Sequence, residues 1–342
     1  MARPPITLDR FILEGQHAHP GATGELSLLL MRLGLAGKRI ALELSVADFK
    51  HTHGSAGSEN VQGEEQKKLD VRANDILIET FDYGGLVSFV ASEELEEPHV
   101  YRGNSASARY LVLFDPMDGS SNIDVNGVLG TIFSIRPRHE GTEKDLLRPG
   151  NEQVAAGYIL FGPAVLFVYS SGHGVHVFSL DTSIGEFVLV RRTVEMPPRG
   201  RAYAVNEGRW AGWSEADRAF IDYLKEFDPS TGRPYSTRYS GSMVGDVHRS
   251  LLEGGIYLYP PDTSAGKPSG KIRMLYESHP LAFVVEQAGG RASTGRERVL
   301  DLAPRSIHER IPIAIGSRFE VELYERFVQS AGHPEAQIER GR

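Results

Sequence analysis

The apolar run Tyr110-Leu-Val-Leu-Phe114 stops abruptly at Asp115-Pro-Met-Asp-Gly-Ser-Ser-Asn-Ile-Asp124, and this junction constrains the chain more than any other stretch. An apolar run bounded by turn formers reads as a buried strand. Pro116 biases Asp115 toward extended backbone and ends the strand there. Asp115 and Asp118 then converge on one hard cation, with the Met117 backbone carbonyl free to face the same ion, because hard divalent ions take oxygen ligands. Gly119, Ser120 and Ser121 offer consecutive N–H groups and two hydroxyls, a seat for phosphate. Metal-binding acids joined to a phosphate cradle point to phosphate-ester hydrolysis. The competing reading is a strand-to-helix turn with a capping Asp and Ser. The Pro, Gly, Ser-Ser, Asn and further Asp124 make the longer word more specific than a cap.

The 342 residues suffice for one large or two ordinary domains. A net charge of −8 excludes the basic footprint of a nucleic-acid binder and asks for basic residues to be concentrated wherever an anion binds. The absence of cysteine excludes disulfides, thiolate metal sites, cysteine nucleophiles and thiol redox switches. The N-terminal residues lack a signal-peptide core and no apolar run is long enough to span a bilayer, so a cytoplasmic protein without membrane contact is expected. Leu26, Leu29, Leu30 and Leu33 follow helical spacing, with Thr23 as the N-cap, and a second helical pattern runs through Ile40, Leu44 and Ala47. His51 to Asn60 reads as a mobile Gly- and Ser-rich loop before a charged helix from Glu64 to Thr80. Leu86 to Ala91 reads as a strand. From Val154 to Val190 the pattern is β, with hairpins at Gly172, Gly174 and Asp181 to Gly185. Met196-Pro-Pro-Arg-Gly200 is the candidate boundary, giving domains 1–195 and 196–342. Helices and strands alternate beyond it, including a helix near Glu277 to Ala288. The fold class is α/β, helices layered on sheets in two domains.

Four further groups carry candidate chemistry. Glu93 lies at a strand end, where α/β sheets place ligands, and adds a carboxylate to the cation site; adjacent glutamates are also common as solvated charge. Glu64 and Asp70 suit a base beside an attacking water, although their spacing alone favours a charged helix face. Glu277 is a ligand or an acid responding to a helix dipole, and His279 beside it reads as structural. Asn206, Arg238, Tyr239, Tyr257, Tyr259 and Lys271 bring amide, hydroxyl and basic groups suited to sugar and phosphate oxygens, although Tyr257 serves as readily to pack a strand. Lys271 and Arg273, two apart, share one face of a strand.

Together these words resemble class I fructose-1,6-bisphosphatase over nearly the whole chain. The stretches that carry the resemblance are Asn60-Val-Gln-Gly, Lys67 to Asp75, Phe114 to Asp124, Asn206-Glu-Gly208, Gly241 to His248 and Leu275-Tyr-Glu277. The resemblance implies a layered αβαβα fold with an N-terminal regulatory and metal-binding domain and a C-terminal sugar-bisphosphate domain. It implies a homotetramer that uses Mg2+, or Mn2+ or Zn2+, to hydrolyse fructose 1,6-bisphosphate to fructose 6-phosphate and phosphate in gluconeogenesis or related carbohydrate metabolism. Carried over by position, Glu93, Asp115, Met117 (carbonyl), Asp118, Glu277 and Glu64 are metal ligands. Glu64 and Asp70 orient and deprotonate water, and the family commonly has Asp at the Glu64 position. Asp118, Gly119, Ser120 and Ser121 receive the reacting phosphate. Asn206, Tyr239, Tyr259 and Lys271 receive the sugar and 6-phosphate, while Arg238 reaches a neighbouring subunit. Thr23, Gly24, Glu25, Leu26, Ser27, Arg109 and Tyr110 match the family's AMP-inhibitor site, but Pro137 stands where a family arginine would be. Sedoheptulose-1,7-bisphosphatase, or dual specificity, is the alternative with the same chemistry. A catalytically silent sugar-phosphate sensor is the alternative of a different class, and it would lack one of the acids.

Overall fold

The structure, a computed structural model, describes residues 4–17, 22–50, 52, 54–59, 65–82, 84–101, 107–264 and 269–330. The chain divides into two compact units, Met1–Leu146 with Glu152–Val194, and Leu147–Asn151 with Glu195–Arg342.

The first unit carries helices α1 (Leu8–His17), α2 (Glu25–Ser45), α3 (Ala47–Lys50) and α4 (Lys68–Phe81). Its strands are β1 (Ser55–Glu59), β2 (Glu65–Lys67), β3 (Val87–Ser92), β4 (His99–Val100), β5 (Tyr110–Asp118), β6 (Leu129–Pro137), β7 (Ala155–Phe161), β8 (Val165–Ser170), β9 (Val175–Asp181) and β10 (Glu186–Val194). Eight of them form one sheet in the order β10-β9-β8-β7-β6-β5-β3-β4. Only β3 and β5 run parallel; the other neighbours are antiparallel. Gly172, Gly174 and Gly185, all at positive φ, turn the expected hairpins.

One core holds the apolar faces of α1, α2 and α4 against the sheet. The two helical patterns of residues 26–47 merge into a single helix, α2, followed by the short α3. Gly24, not Thr23, occupies its N-cap, because its φ of 86° suits glycine, and Thr23 Oγ1 turns to Glu25 Oε2 at 3.3 Å. Gly37 lets α2 approach the sheet closely: a Cβ there would stand 2.6 Å from Ile159 Cδ1.

Two further elements differ from the sequence pattern. The charged helix starts at Lys68 because Glu65–Lys67 pairs antiparallel with β1, which lies inside the stretch read as a loop. β5 does not end at Asp115 but runs on to Asp118 through an irregularity.

The second unit has strands β11 (Ala202–Ala204), β12 (Ser236–Thr237), β13 (Ile256–Tyr259), β14 (Ile272–Arg273), β15 (Arg291–Ser293), β16 (Arg310–Ile311) and β17 (Ile313–Gly316). Its helices are α5 (Glu215–Lys225), α6 (Met243–Glu253), α7 (His279–Gln287) and α8 (Arg318–Gln329). Five strands form a sheet in the order β12-β11-β13-β17-β15, and β14 pairs with β16. Ile256 and Leu258 pack with Phe220, Leu224, Val321 and Phe327 of α5 and α8. Ser214 caps α5 and Ser242 caps α6 through hydroxyls accepting backbone N–H groups. Among the described residues no helix is long and apolar enough to cross a membrane.

Candidate active site

The acids of the first unit gather where β3 and β5 end side by side. Ser92 pairs with Phe114, and the Glu93 N–H donates to the Phe114 carbonyl at 3.1 Å, so Glu93 follows directly beside Asp115. Ser92 Oγ donates to Asn74 Oδ1 at 2.7 Å and accepts the Glu94 N–H at 3.2 Å, which fixes the turn carrying Glu93. Glu93, Asp115 and Asp118 are all buried.

Residues three apart on a regular strand point to opposite faces. Between Asp115 and Asp118, however, β5 advances three residues while its partner β6 advances two, from Ile132 to Gly130. This is a bulge, and the extra residue restores both aspartates to one side. Their carboxylate oxygens approach within 4.8 Å. Pro116 is tolerated because the bulge releases it from the ladder, and its carbonyl accepts Thr131 Oγ1 at 2.8 Å. The Met117 N–H donates to Asp115 Oδ1 at 2.9 Å, aiming that carboxylate. Gly119 then turns the chain at φ 78° into a 3-10 segment, Ser120–Val125, whose first N–H groups have no side-chain cap. Gly119 and Ser120 are half-buried and Ser121 is exposed.

Asp70 sits in the first turn of α4, with Oδ2 accepting the Lys67 N–H at 2.9 Å. Its Oδ1 is buried and has no hydrogen-bond partner among the described residues. Burial pushes its carboxyl up to about 7; the Lys67 N–H opposes this, and the charges of Glu94 and Glu93 add to it. A carboxyl so poised suits proton transfer near neutral pH. Glu64, its expected companion, lies outside the described residues. Asp124, the last acid of the aspartate word, has a fastening role that its sequence context did not reveal. It accepts the Gly54 N–H at 3.0 Å and pairs with Lys67 Nζ at 3.1 Å, tying the β1–β2 ribbon to the 3-10 segment.

In the second unit Asn206 caps a 3-10 turn, Glu207–Gly212, with its side chain accepting the Gly208 N–H. Asn206 and Tyr259 line one small pocket with Arg209, Pro260 and Asp262. Tyr257 is buried within the sheet and does not line that pocket. Arg238 and Tyr239 are exposed, and the Arg238 N–H donates to Tyr203 O at 2.8 Å. Lys271 is half-buried and precedes β14 rather than lying in it; Arg273 is buried. Glu277 is buried, but not in the first turn of an α-helix. It lies in a π-helical turn, Met274–Ser278, ahead of α7, and Oε2 accepts the Arg273 N–H at 2.6 Å. Such turns concentrate at functional sites. His279 is fully buried, packed where a Cβ on Gly150 would stand 2.7 Å from its Cδ2, which matches a structural histidine.

Two family models, described as fructose-1-6-bisphosphatase N-terminal domain and C-terminal domain, match residues 6–192 and 196–329. The chain belongs to the class 1 fructose-1,6-bisphosphatase family. It is 48% identical over 329 residues to fructose-1,6-bisphosphatase class 1 of Chlorobium luteolum, covering 95% of this chain and 98% of that protein. It is 46% identical over 332 residues to the Trichodesmium erythraeum protein of the same name, covering 96% and 92%. The crystal structure of Leishmania major fructose-1,6-bisphosphatase in holo form superposes with a TM-score of 0.89 at 37% identity, covering 96% of this chain and all of that one.

The residues that the sequence resemblance assigns to an AMP site meet at the start of α2. Thr23, Gly24, Leu26, Ser27 and Tyr110 line a cavity of about 370 Å3, together with His173 and His176. Glu25 and Arg109 pair with each other at 3.5 Å. Beside Pro137, Arg136 is fully buried and burial lowers its guanidinium to about 10, while Arg138 Nη1 donates to the Ala108 carbonyl at 3.4 Å.

Proposed function

We propose that this chain hydrolyses D-fructose 1,6-bisphosphate to D-fructose 6-phosphate and phosphate with a divalent cation, as a cytoplasmic enzyme of carbohydrate metabolism and gluconeogenesis. The observation that carries this reading is the agreement with the family across both domains, at 48% identity to a relative of matching length.

The donor set fits the cation. Glu93, Asp115 and Asp118 are buried carboxylates without sulfur or imidazole among them, a set that suits Mg2+, with Mn2+ or Zn2+ as substitutes. In this proposal they and the Met117 carbonyl hold the cation from the first unit, and Glu277 and Glu64 complete its ligands. The cation supplies Lewis-acid polarisation of the reacting phosphate. Asp70, with Glu64, takes the proton of the attacking water. N–H groups of Gly119 to Ser121 stabilise charge on the transferring phosphoryl. Asn206, Tyr239, Tyr259 and Lys271 hold the sugar and 6-phosphate. Arg238 reaches the site of a neighbouring subunit in a homotetramer, and AMP occupies the cavity at the start of α2 as an inhibitor.

A phosphate-release assay over fructose 1,6-bisphosphate, sedoheptulose 1,7-bisphosphate and inositol monophosphate, with and without Mg2+, tests the reading. The highest kcat/KM on the fructose substrate, lost on chelation, supports it. A higher kcat/KM on the sedoheptulose substrate reassigns the sugar. Tight binding of fructose 1,6-bisphosphate without phosphate release replaces the enzyme with a sensor.

A further inference from the structure

The bulge in β5 turns Asp115 and Asp118 to one side, and a residue outside the sets picked from sequence fastens it. Opposite Pro116 and Met117 stands a single residue of β6, Thr131, between Ile132, which faces Asp115, and Gly130, which faces Asp118. On its other side β6 keeps an unbroken register with β7 from Leu129 to Ile135, so it is a regular rail against which the irregular stretch is set. Pro116 has no N–H to offer β6, and the Met117 N–H turns to Asp115 Oδ1 at 2.9 Å. Thr131 supplies a donor from the opposite side: its hydroxyl donates to the Pro116 carbonyl at 2.8 Å. Thr131 is fully buried, so water does not compete for this bond.

Asp115 and Asp118 hold carboxylate oxygens within 4.8 Å of each other, and two charged carboxylates that close repel until a cation joins them. A bulge free to flatten would relieve the repulsion by returning the two to opposite faces, where residues three apart on a regular strand belong. The Thr131 bond opposes this by tying the Pro116 carbonyl to the regular strand. Ligands held in the binding arrangement before the cation arrives bind it more tightly, because the cost of arranging them is already met by the fold. Ser134, on the same strand and opposite Leu113, gives the contrast: its hydroxyl is also fully buried but has no partner among the described residues and does not touch the bulge.

We propose that Thr131 is a positioning residue for the cation site: its hydroxyl holds the bulge that keeps Asp115 and Asp118 on one side, and so sets the affinity for the divalent cation. This rests on the cation-dependent reading above. The test titrates Mg2+ into the full-length protein by calorimetry, in the parent and in Thr131→Val, Thr131→Ser and Ser134→Ala. Thr131→Val keeps the shape of the side chain but removes the donor, and it weakens Mg2+ binding about tenfold, the worth of one buried hydrogen bond. The Mg2+ concentration that half-activates phosphate release rises by the same factor, while kcat at saturating Mg2+ is unchanged. Thr131→Ser keeps the hydroxyl and stays close to the parent in affinity, and Ser134→Ala leaves both readouts where they were. Should Thr131→Val fail to fold, Thr131→Cys, whose thiol is a weak donor, gives a smaller loss in the same direction. A folded Thr131→Val or Thr131→Cys with the parent's Mg2+ affinity overturns the proposal even if it melts earlier, because the hydroxyl then serves stability alone. An equal loss of affinity in Ser134→Ala overturns it too, since any buried hydroxyl of β6 would then do the same. If the parent itself binds no Mg2+, the cation reading fails and this proposal with it, an outcome distinct from binding that Thr131→Val leaves unchanged.

Discussion

Asp70 in the first unit and Glu320 in the second are both buried carboxylates, and their surroundings give them opposite uses. Each has one oxygen that accepts hydrogen bonds and one without a partner among the described residues. Burial raises both carboxyl groups. Glu320 is then relieved: the Tyr235 hydroxyl and the Gly200 N–H bond to it at 2.7 and 3.2 Å, and Arg199 adds positive charge. Asp70 has the Lys67 N–H and, beyond it, the acids Glu94 and Glu93. Burial with donors makes a fastener that ties α8 to the chain at Gly200 and Tyr235. Burial beside other acids leaves the Asp70 carboxyl raised to about 7, which suits the base role proposed for it.

The largest expected effect falls on two acids proposed to hold the cation, of which Glu93 also adds negative charge beside Asp70. Glu93→Ala and Asp118→Ala each lose more than about 10^3-fold in phosphate release with Mg2+, the scale of several kcal/mol of Lewis-acid stabilisation. Circular dichroism shows both variants still folded; normal turnover in either would overturn the assignment.

Asp70→Asn comes next, with a loss of about 10^2-fold or more in kcat/KM. Its stability moves the other way. The folded carboxyl keeps its proton up to about 7, against 3.8 for an ordinary aspartate, so the folded state binds more protons and stability falls as pH rises through that window. Asp70→Asn is therefore more stable than the parent at pH 8 to thermal melting, and the advantage fades toward about pH 4. Equal melting curves at every pH would show that burial does not hold a proton on Asp70 in the folded state.

Glu320→Ala reverses the pattern. It strands the Tyr235 hydroxyl and the Gly200 N–H and costs about 2–3 kcal/mol in denaturant unfolding, with kcat/KM unchanged. Glu320→Gln keeps the accepting oxygen and costs less. Because the Glu320 carboxyl is also raised, its part of stability likewise declines as pH rises above the ordinary glutamate value of 4.5, and the Gln variant removes that decline. The smallest effect is that of Ser92→Ala, about 1 kcal/mol from the lost bond to Asn74, with a weaker apparent affinity for Mg2+ as the Glu93 turn loosens.

The acid word at Asp115 was legible because residue type and order carry its chemistry. The bulge that brings Asp115 and Asp118 to one side was not, since Pro116 reads locally as a strand terminator and only the register with β6 shows otherwise. The hairpins around Gly172, Gly174 and Gly185 were legible because positive φ favours glycine at a turn. The β1–β2 ribbon was hidden, as Ser-Ala-Gly-Ser has no apolar alternation and owes its form to pairing and to Asp124. Glu277 reads from sequence as a first-turn acid of a helix but lies in a π-helical turn, which has no local signature.

The central claim is cation-dependent hydrolysis of fructose 1,6-bisphosphate, and phosphate release measured on one preparation before chelation, after it, and after Mg2+ is restored tests it most directly. The account predicts release that stops with the chelator, returns with Mg2+, and is absent throughout in Asp118→Ala. Release that persists in the chelator, or in folded Asp118→Ala, would contradict it.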